Sequence, residues 1–250
     1  MRTKPFALLA LIAMLLTLAG CLPPSDPSKT IPTLLVPAPQ PAKRLVIVLP
    51  GRADGLPALR DSGMAAAIQG AWPDADVLFA ELTLGYYMQG RAPERLHAEV
   101  VAPARQRGYR EVWLAGASMG GMGVLLYDRL HPGEMDGLVL LAPYLGDRKL
   151  LREIGDAGGI ASWDAGPPQE VNDDTWQREI WRHIQKVSRD PVQSKRFWLA
   201  YGDRDRLRNA VPLLAPALPA DQVLVREGGH AWTVWSPAIG EVLKQVDAKR

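Results

Sequence analysis

Cysteine is almost absent from this sequence of 250 residues, which contains Cys21 and no other. A chain with one cysteine forms no internal disulfide and no cysteine-based zinc site. Excess charge is also lacking, because 29 basic and 27 acidic side chains leave a formal net charge of +2. Nucleic-acid binding depends largely on basic side chains that neutralise phosphates. The composition therefore argues against a nucleic-acid partner, and the sequence has no metal-ligand cluster or cofactor motif.

A hydrophobic run long enough to cross a bilayer is lacking as well. The run from Phe6 to Leu18 has 13 residues, whereas a spanning helix needs about 20. Arg2 and Lys4 precede this run, and two small residues separate Leu18 from Cys21. A basic start, a short apolar core and small residues before a cleavage point are typical of a signal peptide.

The end of this segment, Leu-Ala-Gly-Cys at residues 18–21, resembles the lipobox of bacterial lipoproteins. The resemblance implies that residues 1–20 are removed and that Cys21 is lipidated and anchors the protein to a membrane. Leu22 stands where the inner-membrane retention signal is usually Asp, which favours the outer membrane, facing the periplasm. An ordinary secretory signal with a chance cysteine is the alternative.

Residues 22–43 contain seven prolines. Proline fixes φ and lacks an N–H, so this segment is predicted to be an extended, semi-rigid tether. Its apolar patch, Ile31 to Val36, is a candidate edge strand. The predicted organisation is a signal peptide at 1–20, a lipidated tether at 21–43 and a globular domain at 44–250.

The globular domain alternates apolar, β-branched segments with segments of helical pattern. The predicted strands are Arg44–Leu49, Asp76–Ala80, Glu111–Ala115, Gly137–Ala142, Arg196–Tyr201 and Gln222–Arg226. The predicted helices include Leu56–Gln69, Pro93–Arg107, Met119–His131 and Pro237–Lys249. This alternation predicts an α/β domain with a mostly parallel sheet of about six strands and helices on both faces. Functional residues are then expected in the loops at the carboxyl ends of the strands.

Ser118 is the candidate nucleophile. It lies in Gly116-Ala-Ser-Met-Gly120, directly after a predicted strand and before a predicted helix. The pattern G-x-S-x-G in this context is typical of a strained turn that exposes a nucleophilic serine. A glycine-rich turn with an idle serine is the alternative. Phosphate binding is disfavoured because no lysine follows the glycines as in a P-loop.

A serine hydroxyl needs a base, and four histidines are available. His97 and His183 lie within predicted helices and are interpreted as surface or packing residues. His131 ends a helix and is expected to interact with the last carbonyl groups. His230 follows the last strand in a loop with two preceding glycines, which makes it the candidate base.

The base in turn needs a carboxylate that orients its ring. Asp205 is the first choice, in Gly202-Asp-Arg-Asp205 after the fifth predicted strand. Asp203 is an alternative, although a turn residue is its simpler interpretation. Asp147, after the fourth strand, is a further alternative and is interpreted as a helix N-cap.

The order Ser118, Asp205, His230, with each residue in a loop after a strand, resembles the α/β-hydrolase family. The resemblance covers Arg44 to the C-terminus and implies a serine hydrolase that cleaves an ester or thioester through an acyl-enzyme, without cofactor or metal. In the family the acid often lies three residues after a glycine, which selects Asp205 over Asp203. The first two strands of the family sheet are missing or replaced by the tether.

The resemblance also implies an oxyanion hole formed by the backbone N–H groups of Met119 and Arg52. Pro50 stands where the family frequently has His. The Arg52 side chain either is solvated or points into the pocket and favours an anionic substrate.

Candidate substrate-binding residues follow the strands as well, namely Tyr86, Tyr87, Tyr144 and Trp232. The stretch from Asp147 to Pro191 is either a small cap over the pocket or an ordinary helix with its connections. A small acyl ester is the expected substrate. A peptidase, an acyltransferase and a non-catalytic envelope lipoprotein that binds a ligand remain alternatives.

Overall fold

The structure, a computed structural model, describes residues 26–249. The predicted signal peptide, Cys21 and the first residues of the tether lie outside this range. The described residues form one seven-stranded sheet of order β1-β3-β2-β4-β5-β6-β7. Its strands are β1 (Thr33–Val36), β2 (Arg44–Leu49), β3 (Ala75–Ala80), β4 (Glu111–Ala117), β5 (Gly137–Leu141), β6 (Phe197–Gly202) and β7 (Val223–Arg226).

Helices connect the strands. They are α1 (Leu56–Asp61), α2 (Met64–Ala71), α3 (Leu84–Met88), α4 (Ala92–Leu96), α5 (Ala102–Arg105), α6 (Met119–Leu130), α7 (Arg148–Asp156), α8 (Trp176–Ser188), α9 (Pro191–Ser194), α10 (Val211–Leu214) and α11 (Trp232–Ala248). A π-helical segment, His97–Val101, joins α4 to α5, and 3₁₀ turns lie at Arg208–Ala210, Ala215–Ala217 and Ala220–Gln222. Across residues 26–249, no helix combines the length and apolar character that a membrane-spanning helix requires.

The predicted fold class is confirmed. All neighbouring strands from β3 to β7 pair in parallel, and β1 pairs antiparallel with β3. The sheet therefore has seven strands, one more than the six predicted for the globular domain. The extra strand comes from the apolar patch of the tether, as expected for that patch.

Both faces of the sheet are buried, which explains the continuous apolar strands of the sequence. In β2, Leu45, Ile47 and Leu49 belong to the core under α6 and α8. Val46 and Val48 belong to the core on the opposite face, under α2 and α11. With helices on both faces, the carboxyl ends of the parallel strands form the open edge at which polar residues gather.

Three predicted helices differ from the observed ones, and the one predicted over 93–107 is interrupted by the π-helical segment His97–Val101. The helix predicted over 56–69 is divided into α1 and α2, because Gly63 between them has a φ of 78°. The last helix begins at Trp232, and Pro237 lies inside it. Proline disfavours a helix interior, but the preceding turn is held by burial of Val234 and Trp235 against the core.

The described part of the tether is attached to the domain on both sides of β1. The Ile31 N–H donates to Glu99 Oε2 at 2.7 Å. After β1, the Ala38 N–H donates to Asp76 Oδ1 at 2.8 Å, and the Gln69 side-chain amide donates to the Pro37 carbonyl at 2.9 Å. These bonds hold the segment against the domain.

Candidate active site

Ser118 lies at the sharp turn between β4 and α6. Its φ is 55° and its ψ is −112°, a conformation that is rare for a residue with a side chain. The turn depends on close backbone approach, since a Cβ at Gly116 would lie 2.2 Å from the Gly120 carbonyl oxygen. A Cβ at Gly120 would lie 2.6 Å from the Leu49 carbonyl oxygen. The two glycines of the motif are therefore required by the packing of the turn.

His230 and Asp205 lie together. The His230 Nδ1 is 2.9 Å from each of the two carboxylate oxygens of Asp205. Asp205 is 1% exposed, and its Oδ1 also accepts the Leu207 N–H at 2.7 Å. A buried carboxylate on one ring nitrogen fixes the tautomer of histidine and leaves the other nitrogen to accept a proton.

The other nitrogen of this histidine, His230 Nε2, is buried and has no hydrogen-bond partner among the described residues. The ring is held at its edge by Trp235, with the ring centroids 4.7 Å apart and the planes at 88°. Asp205 and Trp235 thus fix the orientation of an imidazole whose second nitrogen is unused. Ser118 follows β4 at the same edge of the sheet.

The alternative carboxylates have other partners. The Asp203 Oδ1 accepts the Gly228 N–H at 2.8 Å, and this bond lowers the pKa of Asp203. Asp147 caps α7, where its side chain accepts the N–H groups of Lys149 and Leu150. These contacts match the turn and N-cap interpretations, and the carboxylate that contacts His230 is Asp205.

The loop after β2 lies against the nucleophile. A Cβ at Gly51 would lie 3.8 Å from the Ser118 Cβ. Arg52 and Met119, the predicted oxyanion-hole residues, line the same cavity as Ser118. The Trp232 Nε1–H donates to Asp54 Oδ2 at 3.2 Å and so braces this loop. That brace was not predicted, because nothing in the sequence links residues so far apart.

A cavity of about 1100 Å³ opens beside Ser118. Its apolar walls include Leu84, Met88, Met122, Leu126, Leu130 and Val171. Tyr87 and Tyr144 line this cavity, as predicted, whereas Tyr86 and Trp232 do not. Tyr86 is buried with its hydroxyl 3.4 Å from the Lys29 and Thr30 carbonyl oxygens.

The hydroxyl of Tyr87 is buried and has no hydrogen-bond partner within the described range, and burial raises its pKa. The group is therefore a neutral phenol whose donor is unused. The absence of a side chain at Gly123 leaves space for the Tyr87 hydroxyl, because a Cβ at position 123 would lie 2.0 Å from the hydroxyl oxygen.

The stretch from Asp147 to Pro191 combines a packed helix with a cavity wall. Ile180, Trp181 and Ile184 of α8 are buried in the core, and the Trp181 Nε1–H donates to the Leu145 carbonyl at 2.8 Å. Residues 168–173, before α8, line the cavity. The helix therefore packs as an ordinary connection, and the loop before it borders the substrate space.

The remaining histidines lie in other surroundings. His183 is buried, with its Nε2 2.8 Å from Asp128 Oδ2. The side chain of His131 contacts His97 and Glu134, rather than the helix-end carbonyl groups that the sequence suggested. Burial, followed by the nearby His97, lowers the pKa of His131.

Comparisons with known proteins agree with this geometry. A family model described as "Putative esterase" matches residues 94–246, well over half of the chain. The fold is similar to esterase Est1E from Butyrivibrio proteoclasticus, with a TM-score of 0.60, 16% identity, and 87% of this chain and 93% of that chain covered. It is also similar to S-formylglutathione hydrolase from Staphylococcus aureus, with a TM-score of 0.56, 16% identity, and 88% and 84% covered.

A third similar structure is monoacylglycerol lipase from Paleococcus ferrophilus, with a TM-score of 0.53, 14% identity, and 87% of this chain and 99% of that chain covered. No curated protein matches the sequence. At these identities the structural neighbours establish the fold, and the family match establishes the kind of protein. The chain belongs to this esterase family and is an enzyme of carboxylesterase type.

Proposed function

We propose that this protein is a serine esterase that works through an acyl-enzyme on Ser118. The observation that carries the proposal is the state of His230, whose Nδ1 is held by Asp205 while its buried Nε2 has no partner. Such an imidazole can accept the Ser118 proton when a substrate arrives. The positive φ of Ser118 is typical of the nucleophile in this fold.

In the first half of the reaction, Ser118 Oγ attacks the acyl carbon of the ester, and its proton passes to His230 Nε2. The Asp205 carboxylate stabilises the resulting imidazolium. The negative charge on the acyl oxygen is stabilised by the backbone N–H groups of Met119 and Arg52. The bond to the leaving oxygen then breaks, and His230 protonates the departing alcohol.

In the second half, a water molecule attacks the acyl carbon and gives a proton to His230. The bond to Ser118 Oγ breaks, Ser118 regains the proton, and the carboxylic acid leaves. A thiol replaces the alcohol if the substrate is a thioester. An acyltransferase or a peptidase would use the same groups with a different acceptor or leaving group.

The shape of the site favours an ester with an apolar acyl or aromatic group. The cavity of about 1100 Å³ is large for a short acyl chain, and aliphatic and aromatic side chains dominate its walls. The structural neighbour Est1E has been solved with bound ferulic acid, an aromatic acid, and another structural neighbour is a monoacylglycerol lipase. We propose a carboxylic ester of this kind.

A fluorophosphonate probe, which reacts with activated serines, tests the proposal. The full chain is expected to bind one probe per molecule, and Ser118→Ala is expected to bind none. Hydrolysis of a p-nitrophenyl ester should fall by several orders of magnitude in Ser118→Ala. Ser188→Ala is the matched control, because that serine lies at the far end of α8 and bonds the Gln185 carbonyl. Near-normal turnover of the Ser118→Ala protein would exclude Ser118 as the nucleophile.

We also propose that the enzyme is a lipoprotein of the bacterial envelope, anchored through Cys21. The support is the short apolar segment, the position of the only cysteine and Leu22 after it. The leucine favours the outer membrane, with the enzyme facing the periplasm.

A further inference from the structure

A second cluster of polar side chains lies at the opposite end of α6 from Ser118. His131 directly follows α6, and Glu134 lies three residues further on. His97 is the first residue of the π-helical segment that packs beside this helix end. Because Ser118 precedes the 12 residues of α6, the two clusters are separated by about 18 Å, the length of such a helix. The cluster is therefore no part of the hydrolytic site.

The three side chains present ligand atoms at the spacing of a metal site. One atom from each of His97, His131 and Glu134 can be chosen so that all three lie within 4.8 Å of one another. Glu134 Oε2 is 3.3 Å from His97 Nδ1 and 3.7 Å from His131 Nδ1. Ligands bound at about 2.0–2.1 Å to a tetrahedral ion lie roughly 3.4 Å apart. The two separations from Glu134 Oε2 are close to that value.

Tyr127 orients the carboxylate of this cluster. Its hydroxyl donates to Glu134 Oε2 at 2.5 Å and lies 3.1 Å from His97 Nδ1. Metal-binding carboxylates commonly carry such a hydrogen bond from a neighbouring group. On the other side, Arg105 donates to the Glu134 carbonyl oxygen and so fixes the backbone at this residue.

In His131, the nitrogen that faces Glu134 is Nδ1, and no hydrogen bond of the other nitrogen to a described residue holds the ring against a rotation. Its Nε2 is buried and has no hydrogen-bond partner in the described part of the chain, and a buried polar atom without a partner is uncommon. The cluster is nevertheless reachable from solvent, since the side chains of His131 and Glu134 are both 24% exposed. An ion can therefore enter without opening the core.

The backbone at His97 is itself unusual. Residues 97–101 form a π-helix between two α-helical turns. Such insertions are rare and are frequent at functional sites. The π-helix adds a residue to the turn, and it sets His97 beside His131, with the two rings stacked at a centroid distance of 4.2 Å and an angle of 11°.

We propose that His97, His131 and Glu134 form a zinc site, with a water molecule as the fourth ligand and Tyr127 as the group that orients the carboxylate. Two imidazole nitrogens and one carboxylate oxygen are a donor set that suits Zn²⁺. Binding requires the two stacked rings to tilt so that their nitrogens converge on the ion. The torsion that tilts them, χ2 of histidine, has a broad and shallow profile. The ion would join the π-helical segment to the end of α6.

Calorimetric titration of the full chain with ZnCl₂, in detergent and without an affinity tag, tests this site. We expect one Zn²⁺ per chain, and visible absorption bands of tetrahedral Co²⁺ when cobalt is used instead. Glu134→Gln and His131→Asn should each weaken zinc binding by more than about 100-fold. Tyr127→Phe should weaken it by about 10–100-fold, as expected for a residue that only orients a ligand. His230→Ala, which removes a histidine elsewhere, should leave zinc binding unchanged.

Circular dichroism separates loss of the site from loss of the fold. If His131→Asn fails to fold, Glu134→Gln decides, because it preserves the size of the side chain. The proposal is overturned if the full chain binds no stoichiometric zinc, or if Glu134→Gln binds as tightly as the unaltered chain. Neither result bears on the serine esterase proposal, because zinc binding is measured without an ester.

Discussion

Ser118 occupies a backbone conformation that a residue with a side chain adopts at a cost of order 1–3 kcal/mol. The surrounding glycines hold this conformation in place, because Gly116 and Gly120 lie too close to neighbouring backbone for a Cβ. The strain therefore belongs to the backbone of the strand–helix turn and does not depend on the hydroxyl group of Ser118. For this reason we expect Ser118→Ala to keep the fold while it removes the nucleophile.

Asp205 and Asp203 are two residues apart, yet they have different partners. Asp205→Asn should lower kcat about 10³–10⁴-fold, because an amide no longer stabilises the imidazolium and can favour the wrong tautomer of His230. Asp203→Asn should have a much smaller effect, since Asp203 is exposed and accepts the Gly228 N–H. Both kcat values are measured on one p-nitrophenyl ester.

This pair of variants also distinguishes the alternatives that the sequence left open. A large loss in Asp203→Asn with a mild one in Asp205→Asn would assign the acid to Asp203. Mild losses in both would contradict the role of this loop altogether. Thermal unfolding of both proteins serves as the control, because Asp205 also accepts the Leu207 N–H at 2.7 Å.

At the scale of elements, the parallel strands could be predicted because both faces of the sheet are buried. Their apolar runs are continuous, so β2 and β5 stand out from the surrounding sequence. The loops were less predictable. Tyr86 and Tyr87 are neighbours on α3, where successive residues point about 100° apart. One therefore packs toward Lys29 and the other lines the cavity.

The contacts that were missed join segments far apart in the chain. The cluster of His97, His131 and Glu134 depends on the packing of two helices and on a π-helical turn. Neither local propensity nor periodicity contains that information. Likewise, Trp232 was predicted to line the pocket because it lies beside His230, whereas its indole donates to Asp54.

The edge strand β1 gives a prediction at this scale. Glu99 accepts the Ile31 N–H at 2.7 Å and pairs with Arg95 at 2.6 Å. Glu99→Gln keeps the shape of the side chain but removes its charge, and hydrogen bonds to charged groups are worth about 1.5–3 kcal/mol. We expect faster hydrogen exchange in β1 and little change in β4. Asp61→Asn, whose side chain is 66% exposed in its pair with Arg60, is the control.

The same contact predicts a dependence on pH. Burial raises the pKa of Glu99, but the bonds from Arg95 and Ile31 outweigh it, so the pKa lies below the ordinary value of 4.5. A carboxyl group whose pKa is lowered by folding stabilises the fold above that ordinary value and loses this contribution as the pH falls through the lowered pKa. Protection of β1 should therefore decrease below about pH 4.5, and Glu99→Gln should lack this step. An identical profile in both proteins would contradict the assignment.

At the scale of the whole molecule, attachment of the described part of the tether to the domain shortens the distance over which the proline-rich segment can separate the domain from a membrane. As a free, extended segment, residues 22–43 could hold the domain some tens of Å from a bilayer. The structure instead places Lys29 and Thr30 against Tyr86 and adds β1 to the sheet. Cys21 and Asp26 are five residues apart, so the chain between them spans at most about 17 Å. A lipid on Cys21 would therefore keep the domain close to the membrane surface.

Cys21→Ser tests both the anchor and this distance. The full-length chain should incorporate a palmitate analogue and fractionate with membranes, and Cys21→Ser should do neither, because the serine carries no thiol for lipid attachment. The eight tryptophans of the chain can transfer excitation energy to dansyl-labelled lipid headgroups. This transfer should decrease when twelve Gly and Ser residues are inserted between Pro24 and Ser25, because a flexible linker lets the domain move away from the bilayer. Palmitate labelling of Cys21→Ser would contradict the anchor, whereas unchanged energy transfer after the insertion would contradict the short tether alone.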